Sequence, residues 1–200
     1  IQNCTIKDSD GYGIYCDNQS APTLTNNTIS NNGVYPISLY CGILDSNVTG
    51  NTGSGNGTNA IQVRDGGITS SRTWIPQDFY FNVTGAIHVY SGATLTTNPG
   101  CLVKFNAGGA LYIGYYSAAI LNAVGTSGNP ITFTSNASTP APADWYGIVF
   151  FNSTDDASTI MDYCTVEYGG LGGYDSNIFC DTASPTIQNC TIRHSDGYGI

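Results

Sequence analysis

Residues 1–14 read "IQNCTIKDSDGYGI" and residues 187–200 read "IQNCTIRHSDGYGI". Twelve of the fourteen positions agree; only Lys7 against Arg193 and Asp8 against His194 differ. A unit of 186 residues begins again at Ile187. Internal repetition on this scale has to be settled before any ordinary domain reading is tried.

A shorter period runs inside the unit. "IQNCTI" (1–6), "LTNNTI" (24–29), "ILDSNV" (43–48), "MDYCTV" (161–166) and "IQNCTI" (187–192) align with one another. Each is followed by a second apolar segment, namely "GIYC" (13–16), "PISLYC" (36–41), "AIQV" (60–63) and "NIFC" (177–180). Within the first motif Ile1 and Cys4 are three residues apart and Cys4 and Ile6 two, so strand alternation breaks between Ile1 and Cys4. The residue at the break is Asn3, Asn26, Asp45, Tyr163 or Asn189. Asn and Asp are the non-glycine residues that best tolerate left-handed backbone, so the spacing predicts a corner column there.

Two short strands meeting at a corner in every coil make a solenoid. Parallel strands need a long crossover, and a coil of about 23 residues supplies one, so the pattern predicts an all-β right-handed parallel β-helix. The expected inward columns are Ile1–Leu24–Ile43, Cys4–Asn27–Ser46, Ile6–Ile29–Val48 and Ile14–Ile37–Ile61. Residues 1–63 and 146–186 read as regular coils, 80–135 as less regular ones, and 187–200 as the start of the next unit. Residues 64–79 ("RDGGITSSRTWIPQDF") and 136–145 ("NASTPAPADW") fit no strand template and are expected to project as loops. About eight coils at about 4.8 Å each predict an advance of roughly 38 Å per unit. No amphipathic helix that could cap a terminal coil is legible.

Composition narrows the function. The chain has 200 residues, 40% hydrophobic and 12% aromatic, with only 10% charged. Five Lys plus Arg against fourteen Asp plus Glu give a net charge of -9, which repels nucleic-acid phosphates and anionic lipid. No apolar run is long enough to span a bilayer, and residues 1 onward lack the regions of a signal peptide. Asn, Ser, Thr and Gly in place of Lys and Glu give a surface expected of an extracellular or cell-surface protein.

The segments "PTIQNCTI", "DYCTVEYGG", "DGYGIYC", "GTSGNPITFTS" and "SGATLTTNPGCLVKF" resemble the right-handed parallel β-helix repeats of large secreted and cell-surface proteins of bacteria and archaea. The resemblance implies fold and location. It leaves activity open, because this fold hosts pectin-cleaving enzymes, adhesins and structural shafts.

A hydrolase of this fold would need neighbouring acids with a His and an Arg or Lys. Asp155 and Asp156 in "STDDAS" are the candidates, but His88 lies in "AIHVY" and His194 replaces Asp8 in the second copy, so an acidic turn is the simpler reading. A calcium site would draw on Asp8, Asp10 and Asp17, yet the same exchange puts an imidazole where a hard cation wants oxygen. No catalytic residue, metal or other cofactor is therefore expected. Cys164 and Cys190 fall in one inward column of adjacent coils, which suits a disulfide or stacked thiols, the latter being favoured. Of nine Asn-x-Ser/Thr sequons, Asn18, Asn47, Asn56, Asn82, Asn136 and Asn152 are expected to face outward as glycan sites. Trp74 and Trp145 and the tyrosine-rich turns are candidate sugar-stacking platforms. The leading expectation is a non-enzymatic extracellular fibre, stalk or surface-layer protein whose partners are further copies of itself, in tandem or stacked head to tail. The alternative is an adhesin for cell-surface glycans, or a polysaccharide lyase or hydrolase.

Overall fold

The computed structural model describes residues 1–200 in full and is a right-handed β-solenoid with about eight turns. Its strands follow one another in short steps. The first coils hold β1 (Thr5–Lys7), β2 (Ile14–Cys16), β3 (Leu24–Thr25), β4 (Thr28–Ser30), β5 (Ile37–Tyr40) and β6 (Val48–Thr49). The next hold β7 (Ala60–Arg64), β8 (Gly66–Ile68), β9 (Arg72–Trp74), β10 (Tyr80–Val83), β11 (Ala86–Val89) and β12 (Ala93–Thr97). Then come β13 (Leu102–Phe105), β14 (Ala110–Ile113), β15 (Ala119–Val124), β16 (Ile131–Ser135), β17 (Ile148–Phe150) and β18 (Ile160–Asp162). The last are β19 (Cys164–Glu167), β20 (Ile178–Cys180), β21 (Thr186–Gln188) and β22 (Thr191–Arg193). The only helical segments are single 3₁₀ turns at Cys41–Ile43 and Gly172–Tyr174.

Every strand pair is parallel, and one sheet runs through the whole molecule. This long sheet has the order β2-β5-β7-β10-β13-β16-β19-β22. A second sheet, β8-β11-β14-β17-β20, and a third, β9-β12-β15-β18-β21, accompany it from residue 66 onward. Before that, two-stranded sheets β1-β4 and β3-β6 form the other sides. Stacking in register gives the inward column Ile14–Ile37–Ile61–Phe81–Val103–Phe133–Val166–Ile192 along the long sheet. The first three members match the column expected from sequence. These side chains belong to one continuous core of 36 buried hydrophobic residues, against which the half-buried Ile192 packs.

Three expectations need correction. Residues 64–79 are not a projecting loop, because β8 and β9 open the second and third sheets there and Ile68 and Trp74 are buried. Glycines 66 and 67 hid β8: they stand where Tyr40 and Tyr90 lie close over the backbone, leaving no room for a side chain. Residues 80–135 carry the longest strands of the molecule, while two strands of the supposedly regular 1–63 are only two residues long. Period-two alternation in "ATLTT" and "ITFTS" builds good strands without resembling the "IQNCTI" motif. Residues 136–145 contain no strand.

The third copy of the motif is also displaced. Leu24 pairs with Val48, not Ile43, and Thr25 pairs with Thr49. The true third copy is "NVTGNTG" (47–53), in which Gly50 and Asn51 take the places of Asn26 and Asn27.

Candidate functional site

The corner column is where sequence and structure meet most closely. Asn3, Asn26, Tyr163 and Asn189 are left-handed, with φ of 53°, 57°, 49° and 51°. Asp45 is not among them: Gly50 (φ 66°) makes that corner, since a Cβ there would run into Asn26 Oδ1. The Asp45 carboxylate instead accepts from Ser46 N at 2.8 Å and Thr73 N at 2.9 Å, and faces Arg72 at 3.5 Å.

A left-handed corner directs the next N–H away from the sheet ladder, so a buried acceptor has to meet it. Cys4 N donates to Asn27 Oδ1 at 3.0 Å, and Asn27 N donates to Asn51 Oδ1 at 3.2 Å. Asn27 Nδ2 also reaches Asn51 Oδ1 (2.9 Å), and Asn51 Nδ2 donates to Leu24 O (2.8 Å). The stacked amide ladder thus belongs to the residue after the corner; the corner asparagines themselves are exposed. Cys164 and Cys190 hold the same place in later coils, with Cys164 N donating to Cys190 Sγ at 3.4 Å. Both are thiols, stacked without a bridge. The mutual hydrogen bond and burial push Cys164 well above the ordinary thiol range, and acceptance of that bond brings Cys190 down to about 7.

The second copy of the motif sits on the coil beneath it in full parallel register, β21 on β18 and β22 on β19. The two residues that distinguish it from the first copy both make contacts to that coil. Arg193 Nε donates to Glu167 Oε2 at 2.7 Å, and the His194 ring stacks on Tyr168 at 5.0 Å and 9°. Glu167 is nearly buried and also accepts from Thr134 Oγ1 at 3.0 Å. In the first copy Lys7 pairs instead with its neighbour Asp8 at 3.3 Å. Asp162 takes both amides of the corner, from Gln188 Nε2 (3.0 Å) and Asn189 Nδ2 (2.8 Å), and these hold its carboxyl below the usual range.

The candidate acids Asp155 and Asp156 are neighbours in the turn between β17 and β18, the first exposed and the second half-buried. Asp155 is exposed and closes a turn, its carboxylate accepting from Ser158 N at 3.3 Å. His88 sits on the outer face of the second sheet among tyrosines, where burial lowers its basicity. Asp8 pairs with Lys7, while Asp17 accepts from Asn18 N and faces Arg64, so these two of the three candidate calcium ligands point to different partners. No three His, Cys, Asp or Glu side chains gather as a metal-ligand group. Each of the five cationic side chains is engaged: Arg64 at Tyr15, Arg72 at Asp45 and the carbonyl of Gly42, Arg193 at Glu167, Lys7 at Asp8, and Lys104 over the Tyr80 ring.

Both tryptophans are core residues, which removes them as sugar platforms. Trp74 is 1% exposed; Trp145 is wholly buried, stacked on Phe105 at 4.0 Å with Nε1 donating to Glu167 O at 2.9 Å. The aromatic surface lies elsewhere. Outward positions of the second sheet align His88 and Tyr112 in register, and the turns after β11, β14 and β17 add Tyr90, Tyr115, Tyr116 and Phe151. Tyr116, at 63%, is the most exposed of these rings. Of the candidate platforms expected from sequence, the tyrosine-rich turn at Tyr115–Tyr116 belongs to this surface; His88 and Tyr112 were not legible, because a strand's outward face shows only once its register is known.

The sequons divide by burial. Asn18 and Asn152 are exposed, and Asn47 and Asn136 are half-buried. Asn56 and Asn82 are corrected: both are buried, Asn56 donating to Ile29 O at 2.9 Å and Asn82 to Tyr35 Oη at 2.8 Å. Asn56 belongs to a second amide ladder, with its Oδ1 accepting from Asn32 Nδ2 at 2.9 Å.

Residues 66–178 match the family model described as a pectate-lyase-like β-helix domain, and residues 1–75 match that of the right-handed β-helix region. Comparison with curated proteins and with solved structures gave no match. No helix is long and apolar enough to cross a membrane.

Proposed function

The chain belongs to the pectate-lyase-like β-helix domain family, and from that premise we propose that it is a non-enzymatic structural unit of an extracellular fibre, stalk or surface layer. One observation carries the reading: the second copy of the motif continues the long and third sheets on the coil below without a break. Its mechanism is mechanical. Axial hydrogen bonds, apolar columns and amide ladders make a shaft in which each coil is a template for the next. One finding speaks for this over catalysis, namely the engagement of every Arg and Lys that a lyase would need as a base. Electron microscopy of the full-length gene product tests it. Unbranched rods lengthening with the number of units are expected, and separate beads would sink the idea. Oligosaccharide release from pectic or neutral glycans that disappears in Asp155→Ala or Asp156→Ala would establish the enzymatic alternative.

A second reading, glycan binding, is favoured by the exposed Tyr115–Tyr116 surface. Aromatic rings offer flat apolar faces to pyranose rings. Glycan-array binding should be lost in Tyr116→Ala with the fold intact. Binding that survives both Tyr115→Ala and Tyr116→Ala would discard this reading.

A further inference from the structure

The motif recurs at a different place in the cross-section from where it began. In the first copy, β1 lies in the two-stranded sheet with β4, and β2 opens the long sheet. In the second copy the equivalent of β1 is β22, which ends the long sheet instead. The equivalent of β2 begins at Ile200. It runs onto β20, at the end of the second sheet: Tyr198 is bridged to Ser176, and Ile178 N donates to Gly199 O at 3.2 Å. Gln2 is bridged to Thr25 in the β3 side, while its equivalent Gln188 pairs with Asp162 in the third sheet. Every strand of the motif has moved on by one sheet. Its local backbone has not changed, since φ is 53° at Asn3 and 51° at Asn189, and 61° at Asp8 and 56° at His194.

We propose that consecutive 186-residue units join with a rotation of one sheet, about one third of a turn around the solenoid axis, so that successive units present the same face on three sides. This rests on the tandem-shaft reading above. The cause lies inside the unit. In the first coils the long sheet is reached after the β3 and β1 sides; from β10 onward those sides have ended, and the chain enters the long sheet directly from the third sheet. The cross-section is rebuilt around its one continuous side.

Two features of the upper edge fit a following copy in this rotated position. Cys4 N is satisfied by Asn27 of the coil above it, and Cys190, its equivalent, stands where Asn27 of the next unit would accept its N–H. Continuing the register of Tyr198 on Ser176 stacks the next Cys16 on Cys180.

The geometry sets two lengths. Seven steps separate β2 from β22 in the eight-stranded sheet, and β1 to β2 adds one side, giving seven and one third coils between motifs. At about 4.8 Å per coil each unit advances about 35 Å, and three units, about 106 Å, restore the starting orientation. The tyrosine surface would then wind around the shaft.

Helical reconstruction and diffraction of rods formed by the full-length gene product decide this. The expected result is a subunit rise of about 35 Å with about 120° of rotation and a true axial period of about 106 Å. A rise of about 35 Å with no rotation would overturn the inference and leave the shaft reading standing. Separate beads would overturn both.

Discussion

Arg193 donates through Nε to Glu167 Oε2 at 2.7 Å, and Arg193 is one of only two residues that distinguish the second copy of the motif from the first. The other, His194, stacks on Tyr168 in the same underlying coil. These two contacts are particular to the second copy, whereas Gln188, Asn189 and Cys190, unchanged between the copies, touch the same underlying coil through Asp162 and Cys164. Glu167 is nearly buried while the Arg193 side chain is half-exposed. Removing the guanidinium strands a desolvated carboxylate, and Arg193→Met should weaken the last coil by about 1–2 kcal/mol. Hydrogen exchange of β22 amides checks this; protection unchanged from the parent would show the pair to be inert.

The amide ladder should be costlier to break than any surface ion pair. Asn51 offers its Nδ2 to the Leu24 carbonyl and its Oδ1 to the Asn27 backbone and side chain, all in buried space. Asn51→Ala orphans those partners, and a loss of about 2–4 kcal/mol is expected in denaturant unfolding. Exposed Asn26→Gly, which keeps a left-handed corner, should change stability by under about 1 kcal/mol.

The two stacked thiols should differ in reactivity. Iodoacetamide should modify Cys190 with a rate that rises through a midpoint near pH 7, following its thiolate, and should leave buried Cys164 untouched in the folded protein. Peptide mapping after pH-stepped alkylation separates them. Equal modification of both would contradict the stacked arrangement.

Acid should loosen the contact between β18 and β21. The Asp162 carboxyl is held below the usual aspartate range by the amides of Asn189 and Gln188. Its folded value lies below its unfolded one, so its contribution is present above about pH 4 and is lost as pH falls through the folded value. Exchange protection in β21 and β22 should drop over that acidic range, and Asp162→Asn should abolish the pH dependence there.

Core substitution separates the two aromatic roles. Trp145→Ala removes a ring stacked on Phe105 and should cost about 3–5 kcal/mol, whereas Tyr116→Ala, on the surface, should cost less than about 1 kcal/mol. Thermal unfolding of both variants measures the difference.

How much of this was legible without coordinates depends on whether a feature is local. The left-handed corner at Asn3, Asn26, Tyr163 and Asn189, the inward column starting Ile14–Ile37–Ile61, and the parallel β-helix itself follow from steric limits on φ and from strand periodicity over a few residues. Those are properties of short segments, and the amino-acid order alone settled them.

What the tertiary structure decided is which segment lies on which. Val48 rather than Ile43 stacks on Leu24, Gly50 rather than Asp45 turns the corner, Trp74, Trp145 and Asn56 are buried in the core, and Asn82 is buried on the outer face of the long sheet beneath Tyr35. Each is a matter of register, where a shift of a few residues along the coil exchanges inside for outside at no cost to local propensity. Only the summed packing of neighbouring coils distinguishes the alternatives. The same is true of the largest difference between the two copies of "IQNCTI". Their backbones are alike, yet one starts a two-stranded side and the other ends the long sheet, because the coils between them shifted the cross-section by one side.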